Sequence, residues 1–528
     1  MRQVSPVDAA WLALESRDTP MHVGGLFEFT LPDGAPSDFL AKEFERMREP
    51  RPIPPPWNLV PVQAPLLGPR LPLMREIREV DLDYHVRHSA LPHPGGQREL
   101  GVLVSRLHSH QLDLHRPLWE VHLIEGLEGN RFAMYSKTHH SLVDGVSAMR
   151  LIMRALSRDS SVREMPFFWT VGAGERPRRP AVAGAAGVLQ RSLGSVRDSA
   201  TALGGLSRAG ADLALAAVDD RGLQAPYRSP SSVLGDTLTG QRRFATQQYD
   251  LDRLRRLAKA AGCRLNDIVL YLSGTALRRY LSEHARVPDR PLTAGIPVNL
   301  READDQSMGT AIGFMIAELG TNVAAPLERL RAIMRSTAEA KQHLGRLPHE
   351  ARTSYTLLMN APYIAGLVAG LGGRSPVPFS VGISNVPGPV EPLYSNGARL
   401  DALFPLSLLT HGNALNITCV SYAGTLNFGF TGARDTIPHL QRLAIYMGEA
   451  LTEIEQILYA GDKAGAPRAV AAGGRVKPSA KARASAGPRA GGKAKARAKT
   501  APRAKAKARA TANVEPPTAS VKPAAGAG

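Results

Sequence analysis

Cysteine is nearly missing from this chain of 528 residues: Cys263 and Cys419 are all it has. Two thiols do not make a disulfide framework. Cys263 stands before a helical stretch and Cys419 in an alternating one. Both are expected to be buried, and neither has the setting of a nucleophile. A long apolar run is also lacking. The longest, Ala361 to Gly373 (APYIAGLVAGLGG), falls short of the ~20 residues a membrane-spanning helix needs. Its Gly366 and Gly370 have GxxxG spacing, which means little without a spanning helix. The first residues, MRQVSPVDAAWLALES, have no charged segment followed by an apolar core and do not read as a secretory signal. No G-x-S-x-G elbow occurs, so a serine hydrolase of that type is excluded. The expectation is a cytoplasmic protein that touches a membrane surface or lipid inclusions from outside.

The net charge of +18 is unevenly placed. Residues 461–528 hold 16 Lys and Arg against 2 Asp and Glu, a net of +14, leaving 49 against 45 for residues 1–460. That tail has no Phe, Trp, Tyr, Leu or Ile, and Lys-Ala-Arg-Ala-type repeats fill it. Such a composition cannot bury a core and predicts disorder. Its charge suits DNA, RNA or anionic lipid alike. The rest has apolar residues enough for real cores, and its length suggests two or more domains. Residues 1–175 mix alternating and helical segments. Met21 to Leu31 has the pattern of a strand, and Glu120 to Gly126 pairs with Arg131 to Thr138 across a bend at Glu128-Gly129-Asn130. Residues 176–235, rich in Ala, Gly, Ser and Arg, read as a helical connector, packed on the core or lying on a lipid surface as a basic amphipathic helix. Residues 236–460 form a second mixed unit. Its predicted helices are Leu251 to Ala261, Asn266 to Glu283 and Ile437 to Leu458. Its predicted strands are Leu292 to Val298, Ser380 to Ser384, Ala414 to Tyr422 and Thr425 to Phe430.

Between strand-like Arg131–Thr138 and a helical run marked by Val146, Met149, Ile152 and Leu156 lies His139-His140-Ser141-Leu142-Val143-Asp144-Gly145, an HHxxxDG motif. A junction of strand and helix exposes a side chain, and the helix N-terminus disfavours a positive charge beside it. A neutral imidazole there is a candidate general base. Two histidines and an aspartate also suit a metal, but adjacent strand residues point to opposite faces, so both imidazoles rarely reach one ion. A purely structural role is the third reading.

Further segments go with the motif: SPVDAAWLALESRDTPMHVGGL from residue 5, LPHPGGQREL at 91–100, LVSRLHSHQLDLHRPLWEVHLIEGL at 103–127, LNDIVLYLSGTALRRYL at 265–281 and SNVPGP at 384–389. Together with KTHHSLVDG at 137–145 they resemble the bacterial wax ester synthase/acyl-CoA:diacylglycerol acyltransferase family from about Val4 to Leu458. HHxxxDG alone points to the wider CoA-dependent acyltransferases; Pro117-Leu118-Trp119 and Asn266-Asp267 narrow it. The resemblance implies an α/β (α+β) fold of two chloramphenicol-acetyltransferase-like domains with a tunnel between them. It implies that His140 is the general base, that the motif's aspartate and glycine are Asp144 and Gly145, and that Asn266 is the asparagine of the family's ND pair.

The chemistry follows from the residues. A thioester has a good leaving group, so acyl transfer to an alcohol asks mainly for a base and an oxyanion donor. His140 supplies the base. Asp144 either steadies the helix start or orients the imidazole. Gly145 lets backbone or substrate approach closely. Asn266 and Asn385 are oxyanion candidates, though each could simply cap a turn or helix. No cofactor is expected beyond acyl-CoA as co-substrate, with diacylglycerol or a long-chain alcohol as acceptor, and no metal. Two alternatives stand beside this reading: transfer to another alcohol, amine or carrier-bound substrate, and a polyanion-binding protein working through its tail.

Overall fold

The computed structural model describes residues 2–3, 6–62, 73–143, 145–172, 224–299, 312–347 and 349–462. Most of the expected connector (residues 176–223), all but the first two residues of the tail, and Asp144 lie outside them.

Strands β1 (Arg2–Gln3), β3 (Leu59–Val62) and β4 (Leu73–Glu76) form a small sheet. The first large sheet joins β2 (His22–Thr30), β5 (Val86–Ala90), β6 (Trp119–Leu127) and β7 (Arg131–His139) to β12 (Tyr394–Ser395) and β13 (Ala398–Leu406), in the order β12-β13-β2-β7-β6-β5. The β6–β7 hairpin turns where Gly129 and Asn130 both take positive φ, 79° and 56°. The second large sheet orders β10 (Ile312–Glu318), β9 (Thr293–Asn299), β11 (Val381–Val386), β14 (Leu415–Tyr422), β15 (Thr425–Ala433) and β8 (Arg242–Asp250). The sheets therefore do not follow the linear division of the chain at 236. β13, from the later half, pairs antiparallel with β2, with Arg399 opposite Thr30 and Leu406 opposite Gly24.

Ten helices occur among the described residues: α1 (Pro6–Leu14), α2 (Phe39–Arg48), α3 (Leu82–His85), α4 (Gln97–Ser109), α5 (Gly145–Ala155), α6 (Leu251–Ala260), α7 (Leu265–His284), α8 (Pro326–Arg346), α9 (His349–Val368) and α10 (Leu440–Asp462). α7 is apolar nearly all round, with Ile268 to Leu272 buried in succession, as a central core helix must be. It packs with α6 and α10 against the second sheet in one core.

Two contacts bind the sheets together. Ser105 and Ser109 on α4 accept the N–H groups of Phe244 and Arg242 at 2.9 and 2.8 Å, so β8, an edge strand, is closed by helix hydroxyls. Where β13 crosses β15, a Cβ on Gly429 would lie 1.8 Å from the Pro405 carbonyl oxygen, a contact only glycine permits.

Candidate active site

β7 ends at His139, and His140 begins the turn that leads into α5. The backbone fixes both residues from two sides. His139 donates its N–H to the Leu118 carbonyl at 3.0 Å, and His140 donates to the Met21 carbonyl at 2.9 Å. Pro117-Leu118-Trp119 thus acts as a brace for the histidine pair. Trp119 itself is locked by its indole N–H to the Trp57 carbonyl at 2.8 Å and by stacking on His85 and Trp169.

The two imidazoles have opposite surroundings, as alternation along a strand requires. His139 is fully buried. Its Nδ1 accepts the Ser141 N–H at 3.1 Å and the Ser141 hydroxyl at 2.7 Å. The proton is therefore on Nε2, which lies 3.4 Å from Glu15 Oε2. Glu15 also accepts the Met21 N–H and, at 2.7 Å, the Gln111 side-chain amide. Two donors thus converge on one buried carboxylate, with the His139 ring beside it. His140 is only half-buried, and the Trp11 indole lies against its ring with centroids 4.6 Å apart. Among the described residues, no three His, Cys, Asp or Glu side chains cluster as a metal site.

Behind the pair is a charged layer. Lys137, fully buried on β7, reaches Glu120 at 3.1 Å and the carbonyls of His110 and Leu107 at 2.9 and 3.3 Å. Burial pushes its ammonium down, and Glu120 opposes that shift. Burial would raise the Glu120 carboxyl, but His122, Lys137 and Arg87 together bring it to about 2. Further in, His108 accepts the Tyr135 hydroxyl at 2.8 Å and donates to the Ser407 carbonyl at 3.1 Å; burial brings it down to about 3 and it stays neutral.

The later half reaches this site through SNVPGP. Among the described residues, a Cβ placed on Gly145 would meet Val386 alone, at an ordinary 3.5 Å. Gly388 donates its N–H to the Ser421 hydroxyl at 3.1 Å, and its Cα side is closed by the Ser421 carbonyl and Met149 of α5. Asn385, at the end of β11, is half-buried and its side chain makes no hydrogen bond among the described residues; by alternation it shares a face with Ile383 and Cys419, opposite to Val386. β11 pairs with β9 only at Val381 and Gly382, while its ladder to β14 continues to Val386. The two parallel strands part at their carboxyl ends, where open α/β sheets form crevices.

His139, His140 and Gly145 come together at this junction. Asn266 does not enter their hydrogen-bond network. It sits in the first turn of α7, where its neighbour Asp267 caps the helix through the Arg264 N–H and accepts the Thr337 hydroxyl at 2.8 Å. Cys419 is buried as expected, whereas Cys263 is only partly so; burial, reinforced by Asp267, pushes the Cys263 thiol up to about 12, away from a reactive thiolate. Glu15 and Trp11 are absent from the sequence-derived candidates. Glu15 had one visible signal, a lone carboxylate just after an apolar helix.

A histidine motif at the strand–helix junction of a two-sheet α/β scaffold defines the HHxxxDG acyltransferases. Residues 4–269 match the wax ester synthase/diacylglycerol acyltransferase catalytic domain and residues 308–455 the C-terminal domain of the same family. A putative diacylglycerol O-acyltransferase of Mycobacterium tuberculosis is 42% identical over 484 residues, covering 86% of this chain and 97% of that protein. An O-acyltransferase of Acinetobacter baylyi is 38% identical over 465 residues, covering 87% and 98%. The solved wax ester synthase/diacylglycerol acyltransferase of Marinobacter aquaeolei superposes with a TM-score of 0.69 at 37% identity, over 87% of this chain and all of that one. A condensation domain of the calcium-dependent antibiotic synthetase, 17% identical with a TM-score of 0.52, shares the fold. The chain belongs to the wax ester synthase/diacylglycerol acyltransferase family, and it is an acyltransferase with the two-sheet, chloramphenicol-acetyltransferase-like fold.

Proposed function

We propose that this enzyme transfers a long-chain acyl group from acyl-CoA to diacylglycerol or a long-chain alcohol, with His140 as the base. The observation that carries this is the difference within the pair: His139 is buried with its Nδ1 held by Ser141, while His140 is half-buried at the junction. His140 removes the hydroxyl proton as the alcohol oxygen attacks the thioester carbonyl. The C–S bond then breaks, and the CoA thiolate recovers the proton from the imidazolium as the ester leaves. Alcohol and acyl-CoA meet directly, since both cysteine thiols are pushed away from the thiolate by burial and the chain has no G-x-S-x-G elbow. Asn385, whose side-chain amide makes no hydrogen bond among the described residues, and Asn266 remain the two oxyanion candidates. Asp144 holds the loop that carries the base. No cofactor or metal enters these steps.

A lipid surface is the proposed place of work. On α9 and the turn after it, residues 353–373 include no charged side chain, and Arg352 and Arg374 flank them. Leu358, Val368 and Leu371 are 65%, 66% and 51% exposed, with Ala361, Pro362, Ala365 and Ala369 exposed between them. No helix among the described residues is long and apolar enough to cross a membrane, so such a face would lie in the interface. The tail adds charge for anionic headgroups or nucleic acid.

The test is purified protein with labelled palmitoyl-CoA and either hexadecanol or diacylglycerol. Labelled wax ester or triacylglycerol is expected, and His140→Ala should cost at least ~100-fold with an unchanged melting temperature. More than a tenth of wild-type turnover in that variant would remove His140 from the base role.

A further inference from the structure

We infer that Trp11 is a positioning residue for the base: its indole face is set against the His140 imidazole so as to favour the protonated ring that proton abstraction creates. This rests on the reading of His140 as the base. The ring centroids are 4.6 Å apart and the planes are tilted by 35°, within the range of a cation over an aromatic face. One short segment serves both histidines. Trp11, on α1, lies against His140, and Glu15, one residue beyond the end of α1, faces His139 Nε2.

Space-filling alone does not account for a tryptophan here. Its Nε1 is buried and has no hydrogen-bond partner among the described residues. An unpartnered donor is destabilising, and phenylalanine would supply most of the apolar contact without it. Indole, however, offers the strongest face of the aromatic side chains toward a cation. The attraction is weak for a neutral imidazole and strong for the imidazolium. It therefore grows as the proton is transferred, which is the condition for an interaction to raise kcat rather than only to tighten binding.

The charged and titratable groups on the surrounding elements include Asp8 on α1 and Glu15 after it, His139 and Lys137 on β7, Glu120 and His122 on β6, and Arg150 and Arg154 on α5, with Asp144 outside the described residues. Ring fluorination at position 11 alters none of them. The sign of its effect is then fixed. The indole raises the His140 pKa by favouring the charged ring, so leucine, which keeps an apolar wall but loses the face, lowers it. The base then stays neutral to lower pH.

The experiment compares wild type with Trp11→Leu and Trp11→Phe across pH. A second series carries tryptophans with one to four ring fluorines at position 11 only, which drain the face and barely alter its shape. For Trp11→Leu we expect plateau kcat to fall ~2- to 30-fold, the range of such contacts from exposed to desolvated sites. The KM for palmitoyl-CoA should stay within about twofold, and the acid limb of kcat/KM should move to lower pH. Trp11→Phe should fall between, and kcat should drop stepwise with each fluorine. A lower plateau with an unmoved acid limb, or fluorination without effect on kcat, would reduce Trp11 to packing and overturn the inference. If Trp11→Leu does not fold, the fluorinated series decides alone. Failure of His140 as the base is separately visible as turnover retained in His140→Ala.

Discussion

His139 and His140 are chemically identical neighbours, and their surroundings set them apart: one is buried, the other half-buried. The motif made both legible, and strand alternation foretold that they would diverge. It did not indicate what would hold His139, because Glu15 is 124 positions away along the chain. The Met21 N–H and the Gln111 amide donate to that carboxylate, and His139 Nε2 stands 3.4 Å from it. A carboxylate presents only acceptors to these groups, whereas a carboxamide must turn its NH2 toward one of them. Glu15→Gln should therefore disturb the His139 ring and the adjoining His140, lowering kcat by up to ~10²-fold, as a small misplacement of a catalytic group does. Steady-state kinetics beside a melting curve would check this. Full activity would mean that the alignment of the pair is indifferent to Glu15.

At the scale of elements, β6 and β7 carry a buried ion pair under the site, Lys137 with Glu120. Glu120→Gln would leave the Lys137 ammonium buried without a counter-charge, and we expect a loss of about 3–5 kcal/mol of stability. Denaturant unfolding measures it, and the double variant Glu120→Met with Lys137→Met should recover much of it. The same layer sets the acid response. The Glu120 carboxyl titrates near 2 in the fold, below its ordinary 4.5, so its contribution is whole above about 4.5 and is lost as pH falls toward 2. His108, near 3 against an ordinary 6.5, acts at higher pH: below about 6.5 the unfolded chain takes a proton that the buried ring refuses. The melting temperature should therefore decline progressively from pH 6.5 to 3, and His108→Gln should flatten the upper part of that decline. Strands such as His22–Thr30 and Arg131–His139 were legible because their alternation is local. β13 was not, because it is set by a partner strand some 370 residues earlier. α8 was also not legible as an element, although it packs against β10.

At the scale of the molecule, two surfaces bear on where the enzyme works. Leu358→Glu with Val368→Glu on α9 should weaken binding to phospholipid vesicles at least tenfold while turnover on dispersed substrate stays within about twofold. Unchanged vesicle binding would direct attention to another face. A chain ending at Asp462, the last residue of α10, should keep turnover on dispersed substrate and lose affinity for DNA and anionic vesicles. Tail-dependent binding should weaken steeply with salt, since exposed charges are screened over about 8 Å at physiological ionic strength. A shortened chain inactive on dispersed substrate would assign the tail to the catalytic fold.

The sequence by itself determined the reaction class, the place of the histidine motif and the placement of the excess charge. Each of these resides in contiguous residues, whose spacing and composition survive without coordinates: seven residues for HHxxxDG, six for SNVPGP, one unbroken basic stretch for the tail. Only the tertiary structure decided which histidine is buried, that Glu15 and Trp11 flank the pair, and that β13 of the later half completes the first sheet. Those facts depend on side chains meeting across long stretches of chain, and nothing local records which distant groups will converge once burial has excluded water between them.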